Sequence, residues 1–213
     1  MKIVVVGATG NVGSRLVVQA AAAGHDVVAY ARRPEAVPVA SGVTVLAGQV
    51  DDVEALAAAA AGAEVVVSLI GGGFSDTTLL RRTVPSLAQA VKLAGGPRLV
   101  MLSVFGAGDT ADKASWYARL AYRVALRNFL ADRVEAERLL AKSGVDYTMV
   151  FPVNLKDAPS VGGADIVPLG EVARVPGMPT LPMDDAAAAV LQIATQAQPS
   201  GSRILLTTPN GWR

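Results

Sequence analysis

The stretch Lys2-Ile3-Val4-Val5-Val6-Gly7-Ala8-Thr9-Gly10-Asn11-Val12-Gly13 decides the fold. Residues 2–6 are apolar, mostly β-branched and uninterrupted, so they read as a short strand buried on both faces and stopped by Gly7. Residues 11–23 read as a helix that ends at Gly24. Between the two lie glycines at GxxGxxG spacing. Gly7 permits a tight turn, Gly10 admits a pyrophosphate close to the backbone, and Gly13 lets the helix pack close to the strand. The helix N-terminus would present free N–H groups and a partial positive charge to phosphate. Gly7, Thr9, Gly10, Asn11, Val12 and Gly13 are therefore the first candidate binding residues. The alternative is a tight strand–helix turn with no ligand.

The same alternation continues outward. Strands are expected over 26–31, 43–47, 64–70, 98–104, 145–151 and 203–207, and helices over 51–61, 76–94, 113–142 and 183–197. Pro85 is a candidate kink, and a break is expected near Asn128. Strands that are apolar throughout and alternate with helices specify a parallel sheet covered on both faces. The fold class is thus α/β, a Rossmann-type doubly wound sheet of six or seven strands in the order 3-2-1-4-5-6. One NAD(P)-binding domain is expected over 1–213. Residues 154–182, rich in Pro and Gly and long for a connection, are expected to form a small irregular lobe on the substrate side.

Composition narrows the chemistry. The chain has 213 residues and no cysteine, which excludes thiol catalysis, disulfides and cysteine-held metals. A metal site is not expected. The single histidine, His25, precedes the second strand at the sheet's amino edge, away from where such folds do chemistry. Nineteen Lys+Arg against 18 Asp+Glu leave a net charge of +1, so nucleic acid is not an expected partner. Hydrophobic residues make up 52% and charged residues 17%, which fits a folded chain. No apolar run reaches the ~18 residues a bilayer needs, and the apolar start is too short for a signal peptide. A cytoplasmic monomer or homodimer acting on a small molecule, with no membrane partner, is the expectation.

The second strand ends Tyr30-Ala31-Arg32-Arg33-Pro34. Sheets of this kind that bind NAD usually carry an acid at this tip for the ribose 2′-hydroxyl. Here two guanidiniums stand where a 2′-phosphate would lie, and their planar forks suit it. Arg32 and Arg33 point to NADP(H); the alternative is a solvated pair.

The glycine turn and the Tyr30–Pro34 segment together resemble the atypical short-chain dehydrogenase/reductases. More narrowly, they resemble the NAD(P)H-binding group that holds biliverdin-IXβ/flavin reductases and NmrA-like proteins. Val65-Val66-Val67-Ser68-Leu69-Ile70-Gly71 is similar to that group's fourth strand, and Leu102-Ser103-Val104-Phe105-Gly106 to its fifth. Ala136-Glu137-Arg138-Leu139-Leu140 with Ser143–Val150, and Leu181–Ala187, are similar to later segments. The resemblance implies that Leu69, Ile70 and Gly71 wall the cofactor, that Phe151 and Pro152 lie near the carboxamide, and that Asp51 borders the adenine. Asp51 and Asp52 also read as helix N-caps. The strand runs on into Gly72 and Gly73.

The larger family's Tyr-x-x-x-Lys pair is missing at both tyrosines of this region: Tyr117 is followed four later by Ala121, and Tyr122 by Leu126. Ser103, at a strand's carboxyl end, would hydrogen-bond an acceptor or merely end its strand. Tyr117 and Tyr122 read as part of an amphipathic helix or as an aromatic lid, with Tyr117 or solvent as the proton source. Arg119, Arg123 and Arg127 share one helix face, solvated or facing an acidic substrate. Asp184 and Asp185 read as caps. The expected function is an NADPH-dependent reductase of a flat or conjugated carbonyl, quinone or flavin-like acceptor. The alternatives are a non-catalytic NADP(H) sensor of NmrA-like type and, third, an epimerase or isomerase.

Overall fold

The computed structural model describes residues 1–71 and 76–213, and side chains outside 121–125. Gly72 and Gly73, and the side chains of Tyr122 and Arg123, lie outside the described residues.

The core is a sheet of buried, β-branched strands. β1 (Lys2–Val6) and β4 (Val65–Ser68) lie side by side at its centre, almost wholly buried. β2 (Asp26–Ala31) and β3 (Val43–Ala47) extend it one way, and β5 (Arg98–Leu102) and β6 (Tyr147–Pro152) the other. β7 (Asn154–Lys156) and β9 (Thr180–Pro182) pair separately, in parallel. β8 (Asp165–Pro168) and β10 (Ser202–Thr207) complete the main sheet, an eight-stranded array in the order β3-β2-β1-β4-β5-β6-β10-β8. The central order is the expected one. Every neighbour is parallel except β8, which runs antiparallel to β10. β8 arises within the irregular stretch 154–182, which therefore does not stand wholly apart from the sheet. Its short Asp-Ile-Val-Pro run carries no period of its own, and the free edge of β10 supplies the pairing.

Helices cover both faces. α1 (Asn11–Ala22) packs on α6 (Met183–Thr195), whereas α2 (Val53–Ala60), α3 (Leu79–Leu93) and α5 (Arg127–Lys142) pack together. α1 buries Val12, Gly13, Leu16, Val17 and Ala20, one stripe at helical spacing. α3 does the same with Leu80, Val84, Leu87, Ala88 and Val91, and carries Pro85 inside its length. The long helix expected over 113–142 is two: α4 (Trp116–Ala125) and α5, separated at Leu126, whose backbone leaves the helical region. No described helix is long and apolar enough to cross a membrane.

α3 has no cap of its own; Thr78 makes no capping bond. Its orphan N–H groups are met from another helix. Asp132 of α5 is buried, and its carboxylate accepts from Leu80 N–H at 2.9 Å and Arg81 N–H at 3.1 Å. A carboxylate at a helix N-terminus is favoured by both the free donors and the dipole. Arg32 and Arg33 follow β2 as exposed side chains, and Asp52, exposed, caps α2 by accepting from Ala55 N–H.

Asp132→Ala leaves two N–H groups at the start of α3 without their acceptor. It is expected to cost about 2–3 kcal/mol of folding stability, read by urea denaturation. A loss below about 0.5 kcal/mol would show that water replaces the carboxylate.

Candidate functional site

Strand order reverses between β1 and β4, and the carboxyl ends of the two strands border a crevice, as in other doubly wound sheets. The chain crosses it at the glycine turn. Gly7 has φ +88°, and a Cβ there would sit 2.8 Å from the Leu69 carbonyl oxygen. A Cβ on Gly13 would sit 2.1 Å from the Gly7 carbonyl oxygen. Backbone thus fills the space where other residues carry side chains. α1 begins from Gly10, with no side chain capping it, and its first internal bond runs from Ser14 N–H to the Gly10 carbonyl. The N–H groups of Asn11, Val12 and Gly13 are left for a ligand. This cradle fits a dinucleotide pyrophosphate.

At the tip of β2, Arg32 and Arg33 are exposed and make no side-chain hydrogen bond or ion pair among the described residues. Asp51 lies nearby. Its side chain is exposed and makes no hydrogen bond or ion pair among the described residues, while Asp52 is spent on its cap. Tyr30 packs under this edge and donates to the Gln49 carbonyl at 3.0 Å. Burial pushes the Tyr30 hydroxyl up, and Asp52 and Asp51 push it further.

The crevice opens into a cavity of about 510 Å³. Gly10, Asn11 and Val12 form one end, and Leu69, Ile70 and Gly71 one wall. Leu102, Ser103, Val104 and Phe105 follow β5, and Pro152, Val153, Asn154 and Leu155 follow β6. Leu126, Phe129, Leu130 and Arg133 face in from the α4–α5 break and α5, and Met183 from α6. The wall is chiefly apolar, as small-molecule sites are.

Besides Asn11 and Asn154, two polar groups interrupt it. Ser103 is buried, and its hydroxyl lies 2.7 Å from Glu137 Oε1 on α5. Burial pushes the Glu137 carboxyl above the usual carboxylate range, against the Ser103 bond, Arg203 and Arg133, and with Asp109. The second group is Arg133. Its guanidinium lies 4.5 Å from the centre of the Phe129 ring, and its buried Nε has no hydrogen-bond partner. Phe129, Arg133 and Glu137 are spaced four apart on one helix, so they form one stripe. Phe129 and Arg133 have the spacing of the larger family's Tyr and Lys, with a ring that has no hydroxyl.

Among the candidate site residues, the structure brings Gly10, Asn11, Val12, Leu69, Ile70, Gly71, Ser103 and Pro152 together around the cavity. Tyr117 is not brought there. It is 43% exposed on α4, packed edge-on against the Trp116 ring at 5.8 Å. Phe151 is fully buried beneath the Arg203 guanidinium at 5.0 Å, and Pro152 and Val153 line the cavity in its place. Alternation explains this, because successive strand residues face opposite sides. Asp184 and Asp185 do not cap α6. Asp184 pairs with Arg15 at 3.2 Å, and buried Asp185 accepts from Ser160 Oγ and Val161 N–H. Arg119 binds the carbonyls of Ala111 and Asp112, and the break at Leu126 separates it from Arg127. No cluster of three or more metal-ligating side chains occurs among the described residues. Sequence reasoning missed Phe129 and Arg133 and gave Glu137 no role. The only signal was their spacing of four.

A cradle for pyrophosphate and a cavity leading from it define a dinucleotide-dependent class. The chain belongs to the NAD(P)H-binding family, whose profile matches residues 7–197. It is similar to the uncharacterized sugar epimerase YhfK of Bacillus subtilis (strain 168), 29% identical over 171 residues that cover 76% of each chain. It is also 30% identical over 157 residues to isoflavone reductase homolog P3 of Arabidopsis thaliana, 69% of this chain and 46% of that one. The chain thus spans about half the length of that plant relative. Among solved structures, ChuY, an anaerobillin reductase from Escherichia coli O157:H7, is 25% identical with a TM-score of 0.76, covering 99% of this chain and 98% of that one. A short-chain dehydrogenase/reductase from Veillonella parvula DSM 2008 in complex with NADP shares the fold at TM-score 0.82 and 18% identity, covering 100% of this chain and 96% of that one. The family is one of NAD(P)H-binding proteins, and the neighbours include reductases as well as an epimerase.

Gly13→Ala drives a methyl group into the Gly7 carbonyl and must displace the turn. It is expected to weaken dinucleotide binding at least about tenfold, measured by calorimetric titration. Unchanged affinity would mean that the turn does not hold the cofactor.

Proposed function

We propose that the protein is an NADPH-dependent reductase that passes a hydride to a flat or conjugated carbonyl, quinone or flavin-like acceptor. The observation that carries this reading is one continuous cavity. It runs from the phosphate cradle at Gly10 to an apolar wall interrupted by the buried Ser103 hydroxyl, which is hydrogen-bonded to the half-buried Glu137 carboxyl. Bound there, the cofactor supplies the hydride to the acceptor carbon. Leu69, Ile70, Leu126, Phe129 and Leu130 exclude water and favour a planar ring system. Arg32 and Arg33, exposed and unpaired at the tip of β2, support NADPH over NADH.

The proton comes from the chain. With Glu137 ionised, the Ser103 hydroxyl donates to it; with Glu137 protonated, the carboxyl donates and frees the hydroxyl to bond the acceptor oxygen. As hydride reaches the carbon, the Ser103 proton moves to that oxygen and the Glu137 proton moves to Ser103 Oγ. Glu137 then regains a proton from water. Tyr117 is not needed. A second reading, a non-catalytic NADP(H)-responsive regulator, draws on one observation: the ring at the Tyr-like position, Phe129, has no hydroxyl.

NADPH oxidation with a panel of quinones, flavins and conjugated carbonyls tests the reading. Turnover is expected; tight NADPH binding with no turnover on any acceptor would favour the regulator. Ser103→Ala is expected to lower kcat/KM about tenfold, near 1.4 kcal/mol. Glu137→Gln is expected to lower kcat about 100-fold. Because the Glu137 pKa is raised and its acid form donates, the wild-type rate should fall as pH rises through that pKa, and the Gln variant should lack that limb. The charged groups acting on Glu137 are Arg203 of β10, Arg133 of α5 and Asp109 of the turn after β5.

Replacing both Arg32 and Arg33 with Ala should remove most of the preference for NADP(H), a loss of about 1.5–3 kcal/mol in relative affinity. Equal affinity for both dinucleotides in the unmutated protein would overturn the assignment.

A further inference from the structure

Arg133 is only 4% exposed, yet none of its nitrogens makes a hydrogen bond or ion pair among the described residues. A buried guanidinium cannot escape its charge by losing a proton, and an unpaired buried charge is strongly disfavoured. Its acidic neighbours act on it only through space, without a hydrogen bond or ion pair. Asp132 has turned its carboxylate to the N–H groups of α3, and Glu137 has turned Oε1 to Ser103. Phe129 covers one face of the guanidinium and leaves the rim of nitrogens for a partner. Arg133 also lines the cavity, where Leu126 and Leu130 provide apolar flanks.

We propose that Arg133 is the anion subsite of the acceptor pocket, and that the natural acceptor is a flat molecule bearing a carboxylate, bound by the guanidinium fork. The proposal rests on the acceptor reading given above. The fork matches a carboxylate with two parallel bonds, and the dry apolar surroundings strengthen them. The pyrophosphate has its own donors at the far end of the cavity, on Asn11, Val12 and Gly13. Arg133, the α5 cation that lines the cavity, is therefore left for the acceptor.

The test is calorimetric titration of 2-naphthoate and of its uncharged match, 2-naphthamide, into the protein saturated with NADP⁺. The carboxylate is expected to bind at least about tenfold tighter than the amide, and Arg133→Met should abolish that difference while leaving NADP⁺ affinity unchanged. Equal binding of the two probes, no binding of naphthoate, or a preference that survives Arg133→Met overturns the proposal. Joint loss of NADP⁺ and naphthoate overturns it as well, by placing Arg133 on the cofactor. If the Met variant does not fold, Arg133→Lys decides: a preference reduced at least about threefold supports the fork, and an unchanged one overturns it. Turnover of neutral acceptors without carboxylate preference would sink this proposal alone. Carboxylate preference without turnover of any acceptor would sink the reductase reading alone.

Discussion

Three backbone segments meet without side chains between them: the turn after β1, the start of α1 and the end of β4. Leu69 N–H donates to the Val6 carbonyl at 2.8 Å, so β4 is still paired to β1 as the chain turns away. In the same place Gly7 leaves no room for a Cβ against Leu69, and Gly13 leaves none against Gly7. A single added methyl group would push the helix off the strand. That closeness sets where the free N–H groups of α1 point, and it brings Leu69 and Ile70 alongside as a wall.

α5 carries the rest. Within six positions it holds Asp132, Arg133 and Glu137, each answered differently. Asp132 has two N–H donors at the start of α3, which answer its carboxylate at a buried site. Glu137 has one hydroxyl, and there burial outweighs every favourable contact. Burial also pushes Arg133 down, with Asp132 and Glu137 opposing, but a guanidinium starts too far above neutral pH to be discharged. The same helix thus brings a fixed cation to the cavity wall, holds a carboxyl against the Ser103 hydroxyl that lines it, and fastens α3 through Asp132.

The sheet's central order was legible because βα alternation with right-handed crossovers leaves few arrangements. The glycine turn was legible because spacing and context agree. β8 was not, since its strand character comes from the edge of β10 rather than from Asp165–Pro168 itself. The helix break was placed within two or three residues of Leu126, as boundaries usually are. The stripe Phe129-Arg133-Glu137 was hidden by a sound rule. Arg and Glu on a helix normally mark the solvent side, so binary pattern assigns them outward. Only the tertiary placement of α5, which hands Glu137 to Ser103 and lines the cavity with Phe129 and Arg133, turns them inward. Tyr117 drew the proton-donor role through its residue type, and the fold leaves it on the outer surface of α4.

Burial raises the Glu137 carboxyl, and the ion pair beside it does little to reverse that. Arg203 is the cation with the larger pull on Glu137, and alone it would draw the carboxyl down. Both terminal nitrogens of Arg203 are engaged by Asp109, each at 2.6 Å, and its flat face lies over Phe151. Asp109 opposes Arg203 in its effect on Glu137, so the pair acts on the carboxyl more as a dipole than as a charge. Burial is then left as the dominant influence, and it favours the neutral acid. The buried Phe151 ring, expected at the cofactor, has its part here. It lies 5.0 Å from the Arg203 guanidinium, on the pair that sits beside the Ser103–Glu137 bond.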